Sequence, residues 1–304
     1  MADLNWKGIY PAVLTPFTEN GDIDYDMFAK NTDAQIKAGV HGIIVAGTLG
    51  DAAALDVEEK FELLKYAKKI VGDQIPVILN IAENTTRNAI NFAKKAYELG
   101  ADGLMLLPPM RYKADDREVV EYFKAVAQAT ELPILIYNNP VDYSTFVNLE
   151  MFAELAEYPT IQAVKESTRD LANVTRMKNR FGDRFSILGG VDTISLETLF
   201  LGADGLVAGL VDAFPNETMA MYNYAQQGEI EKAVEIYRWF MPLLELDIHP
   251  KLIQYIKLAA TAEGISTPHT RAPRLPLVGE EADRVQKIIQ DSIAKRPVLD
   301  AVNA

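Results

Sequence analysis

Short apolar runs alternate with longer amphipathic segments along the first two thirds of the chain. Runs that are apolar at nearly every position are typical of strands buried on both faces of a parallel sheet. Eight such runs are predicted to be strands: residues 8–14, 42–46, 76–80, 103–107, 133–137, 161–165, 185–188 and 205–208. The segments between them repeat apolar residues at the helical period and are predicted to be helices: residues 25–38, 57–71, 86–99, 117–129, 149–157, 171–181 and 193–201.

This alternation predicts an α/β fold of the (β/α)8 TIM barrel type. A doubly wound sheet is less consistent with it, because the chain lacks a Gly-x-Gly-x-x-Gly turn after its first strand. After Phe214 and Pro215 the strand pattern stops, and the clearest later helices are predicted over residues 230–244, 250–262 and 280–294. We therefore predict a barrel over residues 1–215 and a C-terminal helical region over residues 216–304.

The composition argues against several classes of binding partner. The 304 residues carry 30 Lys and Arg against 43 Asp and Glu, a formal charge of −13, which argues against binding to a nucleic-acid backbone. There is no cysteine, and the three histidines, His41, His249 and His269, are too scattered to suggest a metal site. No apolar stretch is long enough for a membrane span and no secretory signal is visible. We expect a cytoplasmic protein with neither nucleic-acid nor membrane partners.

Lys165 stands in an unusual position for a charged residue. It follows the apolar run that begins at Ile161, at the predicted carboxyl end of a strand, which is where barrel enzymes carry their catalytic groups. A partly desolvated amine has a lowered pKa and can attack a carbonyl to form a Schiff base. A strand-end lysine that reaches solvent explains the position as well, so the local sequence leaves both interpretations open.

Two further strand ends carry candidate groups. In the segment Gly47-Thr48-Leu49-Gly50, backbone N–H groups and the Thr48 hydroxyl can hold a carboxylate, although a plain turn accounts for the segment equally well. Tyr137 ends the fifth predicted strand, beside the strand of Lys165, and is either an aromatic rim residue or a proton-transfer group. The loops after the seventh and eighth strands add Gly190 and Asp192, and then Val207 among small residues.

Taken together, these motifs resemble the dihydrodipicolinate synthase / N-acetylneuraminate lyase superfamily of class I aldolases and lyases. The similarity runs from residues 8–17 through 47–50 and 137–140 to Lys165-Glu166, and so covers essentially the whole chain. The resemblance implies a homotetrameric barrel that acts on a small carboxylate through a covalent Schiff base, without a metal or other cofactor. The catalytic residues it implies are Lys165, Tyr137 and Thr48. The substrate-binding residues expected with them are Gly47, Leu49, Asn139, Gly190, Asp192 and Val207.

Departures from the synthases in this superfamily narrow the expected activity. Leu49 replaces a second hydroxyl, and Asp142 replaces an arginine. Met110-Arg111 stands where the synthases carry paired tyrosines, with Tyr112 one place later. We expect from this the loss of a proton relay and of a dicarboxylate clamp, and therefore no dihydrodipicolinate synthase activity. The roles of Asp142, Arg111 and Tyr112 are left open by the sequence.

The detailed pattern over residues 107–113, 137–141 and 240–251 resembles 1-pyrroline-4-hydroxy-2-carboxylate deaminases of hydroxyproline breakdown. That resemblance implies release of ammonia and formation of 2,5-dioxopentanoate. An aldolase or dehydratase for a 2-keto-3-deoxy sugar acid is the alternative enzyme, and an aldolase of this kind would release pyruvate instead. A non-catalytic ligand-binding barrel is the alternative from a different class, and the presence of Lys165 argues against it.

Overall fold

The computed structural model describes residues 4–109 and 112–299. Eight parallel strands pair in the order β1-β8-β7-β6-β5-β4-β3-β2. A parallel bridge between Ala12, just after β1, and Ile44 in β2 joins the two ends of the sheet, so the predicted TIM barrel is confirmed. The strands are β1 Gly8–Ile9, β2 Ile43–Val45, β3 Val77–Ile81, β4 Gly103–Leu106, β5 Ile134–Asn138, β6 Ile161–Glu166, β7 Ser186–Gly189 and β8 Gly205–Leu206.

Helices follow the strands as the periodicity predicted, with ends that differ by a few residues. Through β8 they are α1 Tyr25–Ala38, α2 Val57–Val71, α3 Thr86–Glu98, α4 Asp116–Ala127, α5 Pro140–Tyr143, α6 Leu149–Leu155, α7 Ala172–Phe181 and α8 Ser195–Phe200. The short helix α5 was not predicted. The acidic starts of α2 and α4 have a structural role, since Asp56 and Asp115 form capping boxes with Glu59 and Glu118.

The chain after β8 forms helices that pack against the barrel: α9 Pro215–Gln227, α10 Ile230–Asp247, α11 Leu252–Ala262 and α12 Gly279–Ala294. Helix α9 lies against α1 and α8, while α10 packs against α9, α11 and α12. The division of the chain at residue 215 stays a prediction. Among the described residues, no helix is both long and apolar enough to span a membrane.

A buried ion pair fastens the C-terminal helices to the barrel. Lys257 in α11 is fully enclosed, and its Nζ donates hydrogen bonds to Asp51 Oδ2 at 2.8 Å and to the His269 carbonyl at 3.1 Å. Arg274 lies 3.4 Å from the other oxygen of Asp51. Because Asp51 directly follows the segment 47–50, this cluster holds a strand-end loop against the C-terminal region.

We expect Lys257→Met to destabilise the fold by about 3–5 kcal/mol, because it leaves the Asp51 carboxylate buried without its lysine. Urea unfolding followed by circular dichroism measures the change. The matched control is Lys287→Met in α12, which removes an exposed pair with Asp291 and is expected to cost about 1 kcal/mol or less. Equal losses in the two variants would show that the buried pair does not anchor the C-terminal region.

Candidate active site

The barrel brings Lys165 and Tyr137 together on neighbouring strands. The two residues are paired in the register of β5 and β6, and Lys165 Nζ lies 4.2 Å from the centroid of the Tyr137 ring. The Lys165 side chain is buried, and no described residue accepts a hydrogen bond from its amine. Burial lowers the pKa of Lys165, although the carboxylate of Asp247 and other nearby charges oppose that shift. The amine is therefore more easily deprotonated than a surface lysine.

Glycine at position 190 makes room for this lysine. A Cβ atom on Gly190 would lie 2.6 Å from Lys165 Cγ and would overlap the Ser167 hydroxyl. The backbone just after β7 therefore approaches the stem of Lys165 more closely than any residue with a side chain would permit. The predicted contact of Gly190 with the site has this physical basis.

The Tyr137 hydroxyl is held by an amide on the following loop. Asn139 Nδ2 donates to the Tyr137 hydroxyl at 3.1 Å and to Asp142 Oδ2 at 2.7 Å, so that Asp142 is tied to Tyr137 through one side chain. Burial raises the pKa of the Tyr137 hydroxyl. The phenol is therefore protonated at neutral pH, and the amine of Lys165 lies over its ring.

The strand-end segment 47–50 presents unpaired donors. No carbonyl or carboxylate among residues 4–109 and 112–299 accepts the backbone N–H of Thr48 or Leu49. The Thr48 hydroxyl lies 2.5 Å from that of Tyr143, whose ring packs edge-on against Tyr137 at 5.5 Å. Burial raises the pKa of Tyr143 to about 12. The hydroxyls of Thr48 and Tyr143 thus form a pair next to the ring of Tyr137.

These residues line a cavity of about 450 Å³, a size suited to a small molecule. Seven of the nine predicted site residues line it: Thr48, Leu49, Tyr137, Asn139, Lys165, Gly190 and Val207. The other two lie behind the cavity wall. Asp192 is buried and accepts the backbone N–H groups of Gly209 and Leu210, while the Gly47 carbonyl accepts the N–H of Ala52.

The cavity also contains residues that sequence reasoning missed. Tyr143 comes from the unpredicted helix α5, and Asp247 and His249 come from the end of α10 and the segment after it, outside the barrel. Arg169 and Arg274 also line it. Of these residues, only Tyr143 is close in sequence to a predicted site residue, six positions after Tyr137, which could have indicated that its hydroxyl belongs to the site. The described residues include no cluster of three His, Asp or Glu side chains suited to a metal ion.

The loop after β4 is only partly described. Met110 and Arg111, on which the expected loss of a proton relay rested, lie outside the described residues. Tyr112 is 57% exposed and does not line the cavity. Within this chain, Tyr143 instead supplies the second tyrosine hydroxyl near Tyr137.

Comparison with known proteins agrees with the observed fold. The sequence pattern of the Dihydrodipicolinate synthetase family matches residues 5–292. The 4-hydroxy-tetrahydrodipicolinate synthase of Archaeoglobus fulgidus is 32% identical over 93% of this chain and 96% of its own length. That of Thermodesulfovibrio yellowstonii is 34% identical over 78% of this chain and 81% of its own length.

Solved structures give the same assignment. Dihydrodipicolinate synthase DapA-2 from Bacillus anthracis superposes with a TM-score of 0.90 at 30% identity, over 95% of this chain and 99% of that one. A putative dihydrodipicolinate synthetase from Pseudomonas aeruginosa gives 0.89 at 26% identity, over 94% and 99%. The chain therefore belongs to the dihydrodipicolinate synthetase family, whose enzymes are lyases that use a covalent lysine Schiff base and require no metal or other cofactor.

Proposed function

We propose that Lys165 is the Schiff-base nucleophile of this chain. The observation that carries the proposal is a buried amine with no acceptor among the described residues, 4.2 Å from the centroid of the Tyr137 ring, in a cavity open to a small molecule. An amine with a lowered pKa has a larger unprotonated fraction at neutral pH, and that form attacks an imine or carbonyl carbon. Tyr137 is proposed to transfer protons, and Thr48 with the backbone of Leu49 to hold the substrate carboxylate.

The charges around the amine favour a substrate with a single carboxylate. Asp142 lies in the cavity wall, where the resemblance predicted an arginine in the synthases. Two like charges about 4 Å apart repel each other by about 1 kcal/mol in water and by more in a protein interior. A second substrate carboxylate at this wall is therefore disfavoured, while hydroxyl and amino groups find hydrogen-bond partners. Arg169, which is exposed, and Arg274 are the cations of the lining.

We propose deamination of 1-pyrroline-4-hydroxy-2-carboxylate as the reaction. Lys165 Nζ adds to C2 of the cyclic imine, and cleavage of the bond from C2 to the ring nitrogen leaves a Schiff base and a free C5 amine. Loss of a C3 proton and of the C4 hydroxyl as water then gives a conjugated iminium ion. Proton transfer from C5 to C4 yields a C5 imine and a C2–C3 enamine, and C3 then regains the proton that it lost, which restores the Schiff base at C2. Hydrolysis at C5 and at C2 uses two waters and gives ammonia, 2,5-dioxopentanoate and free Lys165.

We expect Lys165→Ala to abolish ammonia release from 1-pyrroline-4-hydroxy-2-carboxylate, because no other described lysine lines the cavity. An enzyme-coupled ammonia assay measures the rate. Lys287→Met, which changes an exposed lysine in α12, serves as the control and is expected to retain turnover. Full turnover by Lys165→Ala would refute the proposed nucleophile. Release of pyruvate from a 2-keto-3-deoxy sugar acid by the wild type, without ammonia release from the pyrroline, would favour an aldolase.

We expect Tyr143→Phe to lower kcat about 100-fold, the lower end of the range for a proton-transfer group. Thr48→Val is expected to have a similar effect, and the double variant to lose little more, because groups that act as one unit are not additive. Steady-state kinetics on the three variants measures this. Independent, multiplying losses would contradict a shared proton path through Thr48 and Tyr143.

We further propose that the chain forms a homotetramer, as its resemblance to the family implies. A tetramer of the 33.7 kDa chain has a mass of about 135 kDa, four times that value. Size-exclusion chromatography with light scattering is expected to give this mass. The fold itself does not demand it, since a dihydrodipicolinate synthase variant described as monomeric has the same fold, with a TM-score of 0.89 at 24% identity. A mass of one chain would contradict the tetramer.

A further inference from the structure

Asp247 enters the active-site cavity from outside the barrel sheet. It is the last residue of α10, and its side chain lines the cavity with Lys165 and Tyr137. A Cβ atom on Gly209 would overlap the Asp247 carboxylate, so this carboxylate packs directly on the backbone that follows β8. Gly209 therefore permits an approach that any larger residue would block.

The position of Asp247 is unfavourable for the fold. The C-terminal end of a helix carries a partial negative charge, which disfavours a carboxylate there. Burial and the nearby carboxylates of Asp192 and Asp142 raise the pKa of Asp247 well above its ordinary value, whereas Lys165 and Arg169 oppose the rise. No described residue donates a hydrogen bond to it. Asp247 is thus an acidic residue at the cavity that no hydrogen bond from a described residue stabilises. An ionisable group in such an unfavourable environment is typical of a functional site.

The other acidic and hydroxyl groups near Lys165 already have partners in the protein. Asp192 accepts backbone N–H groups and Asp142 accepts from Asn139. The hydroxyl of Tyr137 is bonded to Asn139, and that of Tyr143 to Thr48. Asp247 is therefore the lining carboxyl of which neither oxygen has a hydrogen-bond partner among the described residues, so both are available to a bound molecule.

Building on the proposed function, we propose that Asp247 is the acid that protonates the departing C4 hydroxyl of the substrate. The Asp247 proton moves to the C4 oxygen while the bond from C4 to that oxygen breaks and water leaves. The electron pair of the C2–C3 enamine forms the new C3–C4 double bond, and the Lys165 nitrogen becomes an iminium. The resulting Asp247 carboxylate regains a proton from solvent, so the step needs no other reactant.

The test compares Asp247→Asn with Asp291→Asn, which changes an exposed aspartate in α12. Each protein is mixed with 1-pyrroline-4-hydroxy-2-carboxylate, trapped with borohydride and analysed by mass spectrometry, and its ammonia release is assayed separately. We expect Asp247→Asn to trap substrate on Lys165 as fully as the wild type, with the adduct retaining the C4 hydroxyl. Its kcat is expected to fall about 100-fold or more, while Asp291→Asn behaves as the wild type.

Urea unfolding distinguishes a catalytic role of Asp247 from a purely structural one, because removal of a structural residue would lower the unfolding midpoint. Asp247→Asn is expected to unfold at the same or a higher urea concentration than the wild type, because a disfavoured carboxyl has been removed. A second variant, Gly209→Ala, displaces the carboxylate without deleting it and is expected to lower kcat with trapping retained. If the wild type releases ammonia and Asp247→Asn has the same kcat, the role of Asp247 is overturned and the proposed function stands. A lower unfolding midpoint with reduced trapping would also overturn the role of Asp247. If the wild type releases no ammonia, both the proposed function and the role of Asp247 are overturned.

Discussion

The desolvation of one amine is the constraint on which the site depends. Removing Lys165 from water costs free energy, and it is tolerated because the side chain leaves a strand that is otherwise fixed in the barrel core. The close approach of Gly190 and the pairing of β5 with β6 fix the amine against the Tyr137 ring. An amine on a mobile surface loop would stay hydrated and protonated. The barrel therefore fixes the position of Lys165, and burial in it lowers the pKa of the amine.

The C-terminal helices contribute to this site as well as to the fold. Helix α10 brings Asp247 to the cavity, and the pair of Lys257 with Asp51 binds α11 to the end of the 47–50 loop. The loop that presents the N–H groups of Thr48 and Leu49 is therefore anchored by the same region that supplies an acid. Packing of the helices against the barrel and organisation of the cavity are consequently coupled through Asp51.

Much of this arrangement was predictable because it depends on local pattern. The buried strands follow from uninterrupted apolar runs, and the meeting of Lys165 with Tyr137 follows from their places at the ends of adjacent parallel strands. Tyr143 and Asp247 were not predictable in the same way. The orientation of Tyr143 depends on a four-residue helix, and that of Asp247 on how α10 docks against the barrel. Asp192 lies at the expected strand end, but its side chain accepts backbone N–H groups and does not line the cavity. The sequence does not indicate this orientation.

The central claim is that Lys165 is a desolvated amine with a lowered pKa, and a direct titration tests it. Side-chain nitrogen NMR of the ¹⁵N-labelled chain, with the Lys165 signal assigned through Lys165→Arg, follows its protonation against pH. We expect a midpoint below about 10.4, the ordinary value for lysine, since burial outweighs the nearby carboxylates. A midpoint at or above that value would show that the carboxylates dominate, and would contradict the role given to burial.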